Sequence, residues 1–242
     1  MGNVMFMRKG EVHTAPVGGL PVSSLVEGQI VMINEGGTPV PFYLSKHDYE
    51  SGLNGAGRSL LVRQYGYDQR GWLTSWASTN DTFKHTFDGT DLDVWLNGDY
   101  KALLPSAIQD AMGETSIYHT EINTLTTMQR AVFILSVTEL GSINAGNLKF
   151  NTEGSELPIA ETLRIAYNSS GSAVNQQTRT PITGVDLNST GISDNYTCVG
   201  MNNGYLGANV PNQLYWVRPC FTLPSDMLTE VSDDGTVTLK VA

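Results

Sequence analysis

Apolar positions along the chain come in short bursts separated by polar, glycine-rich stretches, and no single period holds for long. Gln29–Asn34 (QIVMIN), Val40–Ser45 (VPFYLS) and Ser59–Gln64 (SLLVRQ) read as β-strands, rich in β-branched and aromatic residues and bounded by turn formers. EGGTP lies between the first two, and Gly36-Gly37 supplies the positive φ that a tight hairpin needs. Thr90 precedes DLDVWL, which predicts a helix with Thr90 as N-cap and Asp91 and Asp93 in its first turn, where the helix dipole favours acids. Pro105 and Ser106 open a second helix with an apolar face of Ala107, Ile108, Ala111 and Met112. The unbroken apolar run Gln129–Ser136 predicts a buried central strand, and Glu156–Tyr167 a helix striped by Ile159, Leu163 and Ala166. Tyr215–Leu223 reads as a strand whose Pro219 places it at an edge or a bulge. A last hairpin turns at Asp233-Asp234-Gly235 and runs into Thr236–Val241. No internal repeat is visible. The pattern predicts an α+β class, with short strands toward both ends, two to three short helices between them and long irregular loops. Residues 1–20 hold no stable period and read as an arm that needs a partner to order it. Residues 21–242 then form one domain.

Composition narrows the function classes. Only 16% of the 242 residues are charged, and 14 Lys+Arg against 24 Asp+Glu leave a net charge of -10. A sequence-independent nucleic-acid binder needs a basic face, and so does docking to anionic lipid; neither is expected here. No run of 18 apolar residues marks a membrane helix, and Met1–Arg8 lacks the apolar core of a signal peptide. The chain is therefore expected to stay in the cytoplasm or to leave by another route, such as on a virus particle. Cys198 and Cys220 form no disulfide framework and no zinc motif. They read as two half-buried thiols, with a bridge between them left open.

The most informative segment runs from Asn168 to Trp216. It holds eight of the seventeen Asn of the chain, and its only charges are Arg179, Asp186 and Asp194. No Lys occurs between Lys149 and Lys240. Tyr, Ser, Gly and Asn are the residues of antibody paratopes: Tyr gives contact area with few rotors to freeze, and the others give adaptable hydrogen bonds. A broad ligand-binding surface is one reading; a solvated connection of ordinary turn residues is the other.

No catalytic set stands out. His13, His47, His85 and His119 are scattered, and no nucleophile elbow, zinc-protease motif, P-loop or EF-hand loop occurs. Asn54-Gly55-Ala56-Gly57-Arg58 lacks the third Gly and the setting of a dinucleotide site and reads as a tight turn. Asp91, Asp93 and Asp99 are candidate calcium ligands, but the first two are better explained as first-turn helix acids. No catalytic residue, metal ligand or cofactor is assigned.

PVPFYLSKHDYESGLNGAGRSLLVR (39–63), LDVWLNGDYKALL (92–104), AVFILSVTELG (131–141), QQTRTP (176–181) and YWVRPCFTLPSDM (215–227) carry a resemblance over roughly residues 20 to 230. Together they resemble an uncharacterised domain family of bacteriophages and gut-bacterial prophages with WLN, FLLS-x-x-E, W-x-R-S-P and G-x-RPA-x-x-LP motifs. Gln177-Thr178 departs from the Trp-containing pair of that pattern, and Trp216-Val217-Arg218-Pro219-Cys220 from the plainer G-x-RPA. The resemblance implies a C-type-lectin-like fold, similar to the variable proteins of diversity-generating retroelements, in which miscopied adenines scatter Asn codons near the C-terminus. On that reading Arg179 and Arg218 hold loop carbonyls or acids in place.

These expectations converge on a non-enzymatic phage protein, made in the host cytoplasm and displayed on the virion surface, at head or tail. It would recognise a host or mucosal glycan or protein ligand through a face at 175–216. Its candidate contact residues are Asn175, Gln177, Thr178, Asn188, Asn195, Tyr196, Asn202, Asn203, Tyr205, Asn209, Asn212 and Tyr215. The arm would join other virion proteins or sister subunits in a homo-oligomer, with a trimer suggested by phage symmetry. The competing expectation is a decoration protein of head or tail whose loops pack between subunits.

Overall fold

The computed structural model describes residues 19–74, 86–141, 148–185 and 197–240. The chain begins with β1 (Leu20–Pro21), the hairpin β2 (Ile30–Glu35) and β3 (Thr38–Lys46), the single-turn helix α1 (Ser51–Asn54) and β4 (Arg58–Arg63). After β5 (Gln69–Arg70) come α2 (Asp91–Trp95), continued by a π turn and a 3-10 turn, and α3 (Ser106–Met112). A second hairpin follows, β6 (Thr115–Glu121) and β7 (Thr124–Arg130). The polar stretch is laid out as β8 (Leu148–Lys149), α4 (Ala160–Arg164), β9 (Ala166–Tyr167), β10 (Ala173–Val174), β11 (Gln176–Pro181), β12 (Gly184–Val185), β13 (Thr197–Gly200), β14 (Leu206–Asn209) and β15 (Tyr215–Trp216). β16 (Cys220–Pro224), β17 (Leu228–Val231) and β18 (Val237–Leu239) end it.

Two sheets organise these pieces. A seven-stranded sheet runs β1-β17-β18-β2-β3-β4-β16, so both ends of the described chain lie side by side. A five-stranded sheet runs β14-β13-β11-β15-β5, with β11 and β15 parallel and the other pairs antiparallel. The class is α+β, dominated by strands, with few and short helices.

Local chemistry explains the elements that form as expected. Gly36 (φ 60°) and Gly37 (φ 87°) close a two-residue turn between Glu35 and Thr38, which are paired across the hairpin. Val31, Ile33, Phe42 and Leu44 of that hairpin are buried, and Phe42 meets Phe221 of β16 with ring centroids 5.5 Å apart. Thr90 Oγ1 accepts from Asp93 N at 3.2 Å, the predicted N-cap of α2. Asp93 is buried and pairs with Arg130 at 2.7 Å, so this acid ties the helix to β7 as well as to its own dipole.

Three elements differ from expectation. Gln129–Ser136 is not a central strand: β7 ends at Arg130, and 131–136 is irregular although Val132, Phe133, Ile134 and Leu135 are buried. Phe133 exchanges backbone hydrogen bonds with Cys220 at 2.8 and 2.9 Å. The groups around it are satisfied by side chains: Asn97 Oδ1 accepts from Ala131 N and Val132 N, and Asn97 Nδ2 donates to Val132 O. An apolar run reports enclosure, and enclosure does not require a sheet. Glu156–Tyr167 is helical only over Ala160–Arg164. Leu157, the residue before Pro158, is pushed out of the helical region, and the carbonyls of Leu163 and Arg164 are taken by Gln176 Nε2, both at 3.0 Å. Tyr215–Leu223 breaks at Pro219 into β15 in one sheet and β16 in the other. A proline that cannot donate marks a change of sheet here rather than an edge. No helix among the described residues is long and apolar enough to cross a membrane.

Candidate functional site

β11 is the centre of the predicted face, and all six of its residues are buried. Arg179 and Glu139 are fully buried and form a two-point ion pair, with Nη1 to Oε2 at 2.6 Å and Nη2 to Oε1 at 2.9 Å. Arg179 also donates to Tyr118 O at 2.9 Å and Ile134 O at 2.7 Å. Glu139 accepts from the Tyr49 hydroxyl and from Ser136 N at 2.8 Å. Burial opposes the Arg179 charge, but Glu139 and its neighbours hold the guanidinium protonated well above its ordinary range. Arg218 is the second buried anchor. It donates to Arg63 O at 3.0 Å and Leu163 O at 2.9 Å, and burial pushes its pKa down to about 10. Arg179 therefore holds one acid and the carbonyls of Tyr118 and Ile134, and Arg218 holds the carbonyls of Arg63 in β4 and Leu163 in α4, so each ties distant segments of the chain together. The Arg179 charge is tolerable in the interior because it is paired and hydrogen-bonded in this way.

Glu153 completes this frame. Its Oε2 accepts the Thr180 hydroxyl at 2.7 Å, and its Oε1 has no hydrogen-bond partner among the described residues. Burial raises its pKa to about 7, against the opposing pull of Arg179 and nearby threonine hydroxyls. Cys198 and Cys220 are free and buried, and burial raises both thiols well above the usual range. Among the described residues, no group of three or more His, Cys, Asp or Glu is placed to hold a metal ion.

The sequence-predicted contact residues divide by position. Asn202, Asn203 and Tyr205 lie exposed on the connection from β13 to β14, with Tyr205 at 48% exposure. Asn175 Oδ1 accepts from Asn202 N at 2.8 Å, and Asn203 Oδ1 from Tyr205 N at 3.1 Å, so the connection is shaped by its own asparagines. Asn209, Asn212 and Tyr215 are half-buried around the loop before β15, where Asn209 Nδ2 donates to the Tyr215 hydroxyl. Gln177 and Thr178 are not at the surface. Gln177 is 4% exposed and donates to Arg70 O at 2.7 Å and Gln213 O at 2.9 Å. Thr178 is fully buried and donates to Cys198 O at 2.6 Å. They lie beneath the face because β11 is central in its sheet and covered on both sides. Asn188, Asn195 and Tyr196 lie outside the described residues, as does the arm up to residue 18. Leu20, taken as its end, already pairs with Thr229 in β1.

Sequence reasoning missed the rim of the face. Arg70 lies over the Trp95 ring, 4.0 Å from its centroid, and Leu214 between Asn212 and Tyr215 is 54% exposed. A lone Arg after an Asp and a Leu among asparagines carry no motif. The one available signal is an apolar side chain inside an otherwise polar loop.

The fold and its buried frame thus define a strand-rich α+β domain that carries a loop-built polar face. Residues 56–225 match the family described as Domain of unknown function (DUF6273), and the chain belongs to that family. Comparison with curated proteins and with solved structures found no match.

Proposed function

We propose that this chain is a non-enzymatic binding module of a phage particle, displayed on the virion surface and recognising a host or mucosal ligand through the exposed part of the 175–216 face. The scaffold is read as C-type-lectin-like, and the face as one that diversification would vary. One observation carries this reading. The frame beneath the face is locked by buried pairs, whereas among the described residues the exposed Asn202, Asn203 and Tyr205 hydrogen-bond within their own connection and to Asn175. Recognition is commonly carried by loops of this kind, changeable above a rigid base. Other virion proteins, met through the N-terminal residues, are its structural partners.

The test is an adsorption assay with purified full-length protein on host cells. The double variant Asn203→Ala/Tyr205→Ala is expected to unfold within about 0.5 kcal/mol of wild type, since both sites are exposed, and to lose cell binding. Wild-type adsorption by that variant would refute the proposed face and favour the decoration reading.

A further inference from the structure

We propose that the free edge of β7 is an interface between two copies of this chain, paired antiparallel about a two-fold axis at Thr127. The β6–β7 hairpin is closed by Ile122 (φ 45°) and Asn123 (φ 65°), and its register runs unbroken from Glu121–Thr124 to Thr115–Arg130. A two-residue turn makes its closing pair a hydrogen-bonded one, so every second residue of β7 bonds inward to β6. The backbone groups of Leu125, Thr127 and Gln129 therefore point away from β6. This edge is separate from the ligand face, and the inference does not depend on the binding-module reading.

The two outer edges of the hairpin differ. Ser116 of β6 donates its N–H to Asn54 Oδ1 at 2.8 Å, and its carbonyl accepts from Asn54 Nδ2 at 3.0 Å. The Tyr118 carbonyl accepts from Arg179 Nε at 2.9 Å. Of the outward groups of β7, only Gln129 O has a partner among the described residues, Arg130 Nη1 at 2.7 Å. β6 and β7, at seven residues each, are the longest described strands that end a sheet; β1 and β5 have two, β14 four and β16 five. Proteins blunt such edges with Lys, Pro or a bulge. β7 has none of these, and Leu125, Thr127 and Gln129 are exposed. An open edge of this length is a template for another strand.

The residues of the edge select a second copy as that strand. With Thr127 across from Thr127 of the second copy, Leu125 lies across from Gln129 and Thr124 across from Arg130. No like charges meet, because Arg130 is the only charged residue of β7 and is held by Asp93 and Asp88. Thr–Thr pairs are favourable across strands. A net charge of -10 keeps copies apart in general, and β7 carries none of the negative charge. The pairing forms about six backbone hydrogen bonds, two for each facing pair among Leu125, Thr127 and Gln129. It buries less than a standard interface, so the dimer is expected to be weak, with a Kd on the order of 100 μM.

Amide hydrogen exchange and sedimentation of the full-length protein over a concentration series test this. Concentration is expected to slow exchange at the Leu125 and Thr127 amides roughly tenfold or more. Association through the N-terminal residues would leave those amides fast. Thr127→Lys and Thr127→Glu, checked for unchanged thermal unfolding, each set like charges across the axis and are expected to weaken pairing roughly tenfold or more. An equal mixture of the two variants is expected to restore it. Exchange at Leu125 and Thr127 that is indifferent to concentration up to about 1 mM overturns the interface, whatever other association is seen. Protection that neither variant weakens, or a mixture that pairs no better than either variant alone, overturns the two-fold register at Thr127.

Discussion

Glu153 accepts the Thr180 hydroxyl at Oε2, its Oε1 has no hydrogen-bond partner among the described residues, and its charged neighbours are Glu139 and Arg179. Its pKa in the fold, about 7, lies above the ordinary 4.5 because burial penalises the charge. The raised value means that the folded state binds the proton more tightly than the unfolded chain. The stability this group contributes is therefore complete below about pH 4.5 and is lost as pH rises toward 7, by about 3 kcal/mol. Glu153→Gln keeps the shape and removes the titration. Denaturant unfolding at pH 5 and pH 8 is expected to show the variant more stable than wild type at pH 8, with the gap closing at pH 5. An equal gap at both values would mean that Glu153 titrates normally. The buried cysteines belong to the same scale: without an exposed thiolate they are packing groups, not reactive ones.

Among the elements, α2 is short, and its stability depends on its ends. The Thr90 hydroxyl accepts from Asp93 N and donates to Phe87 O at 2.9 Å, and Asp93 in turn accepts from Gly89 N at 3.0 Å and pairs with Arg130. Thr90→Ala is expected to cost about 1 kcal/mol in denaturant unfolding. A loss several times larger would show that the cap also supports the Asp93–Arg130 pair. The cap, the first hairpin and the terminal turn were legible in the sequence because each depends on residues within a few positions of one another. Segment 131–136 and α4 were not. Asn97 satisfies the backbone of the first, and Gln176 stops the second from a strand that is its neighbour only in the fold.

For the whole molecule, the seven-stranded sheet brings β1 beside β17, with Leu20, Leu228 and Val231 exposed at or near that edge. An apolar sheet edge of this kind is a hazard for self-pairing unless it is covered. On the proposed reading, sedimentation of the full-length protein is expected to show an oligomer. A sharp monomer would count against anchoring through the N-terminal residues.

The α+β class, the tight turns, the Thr90 cap and the polar, lysine-free stretch of the face were present in the sequence, because short-range periodicity and turn chemistry are local properties; the dominance of strands was not. Arg179 and Arg218 were legible as anchors, though not their partners. Tertiary structure alone decided that Gln177 and Thr178 lie beneath the face, that Tyr215–Leu223 divides between two sheets, and that Arg70 stacks on Trp95. Those outcomes depend on which strand becomes central and on which distant side chains satisfy a buried backbone. Such pairings join residues far apart in the chain, and no local pattern encodes them.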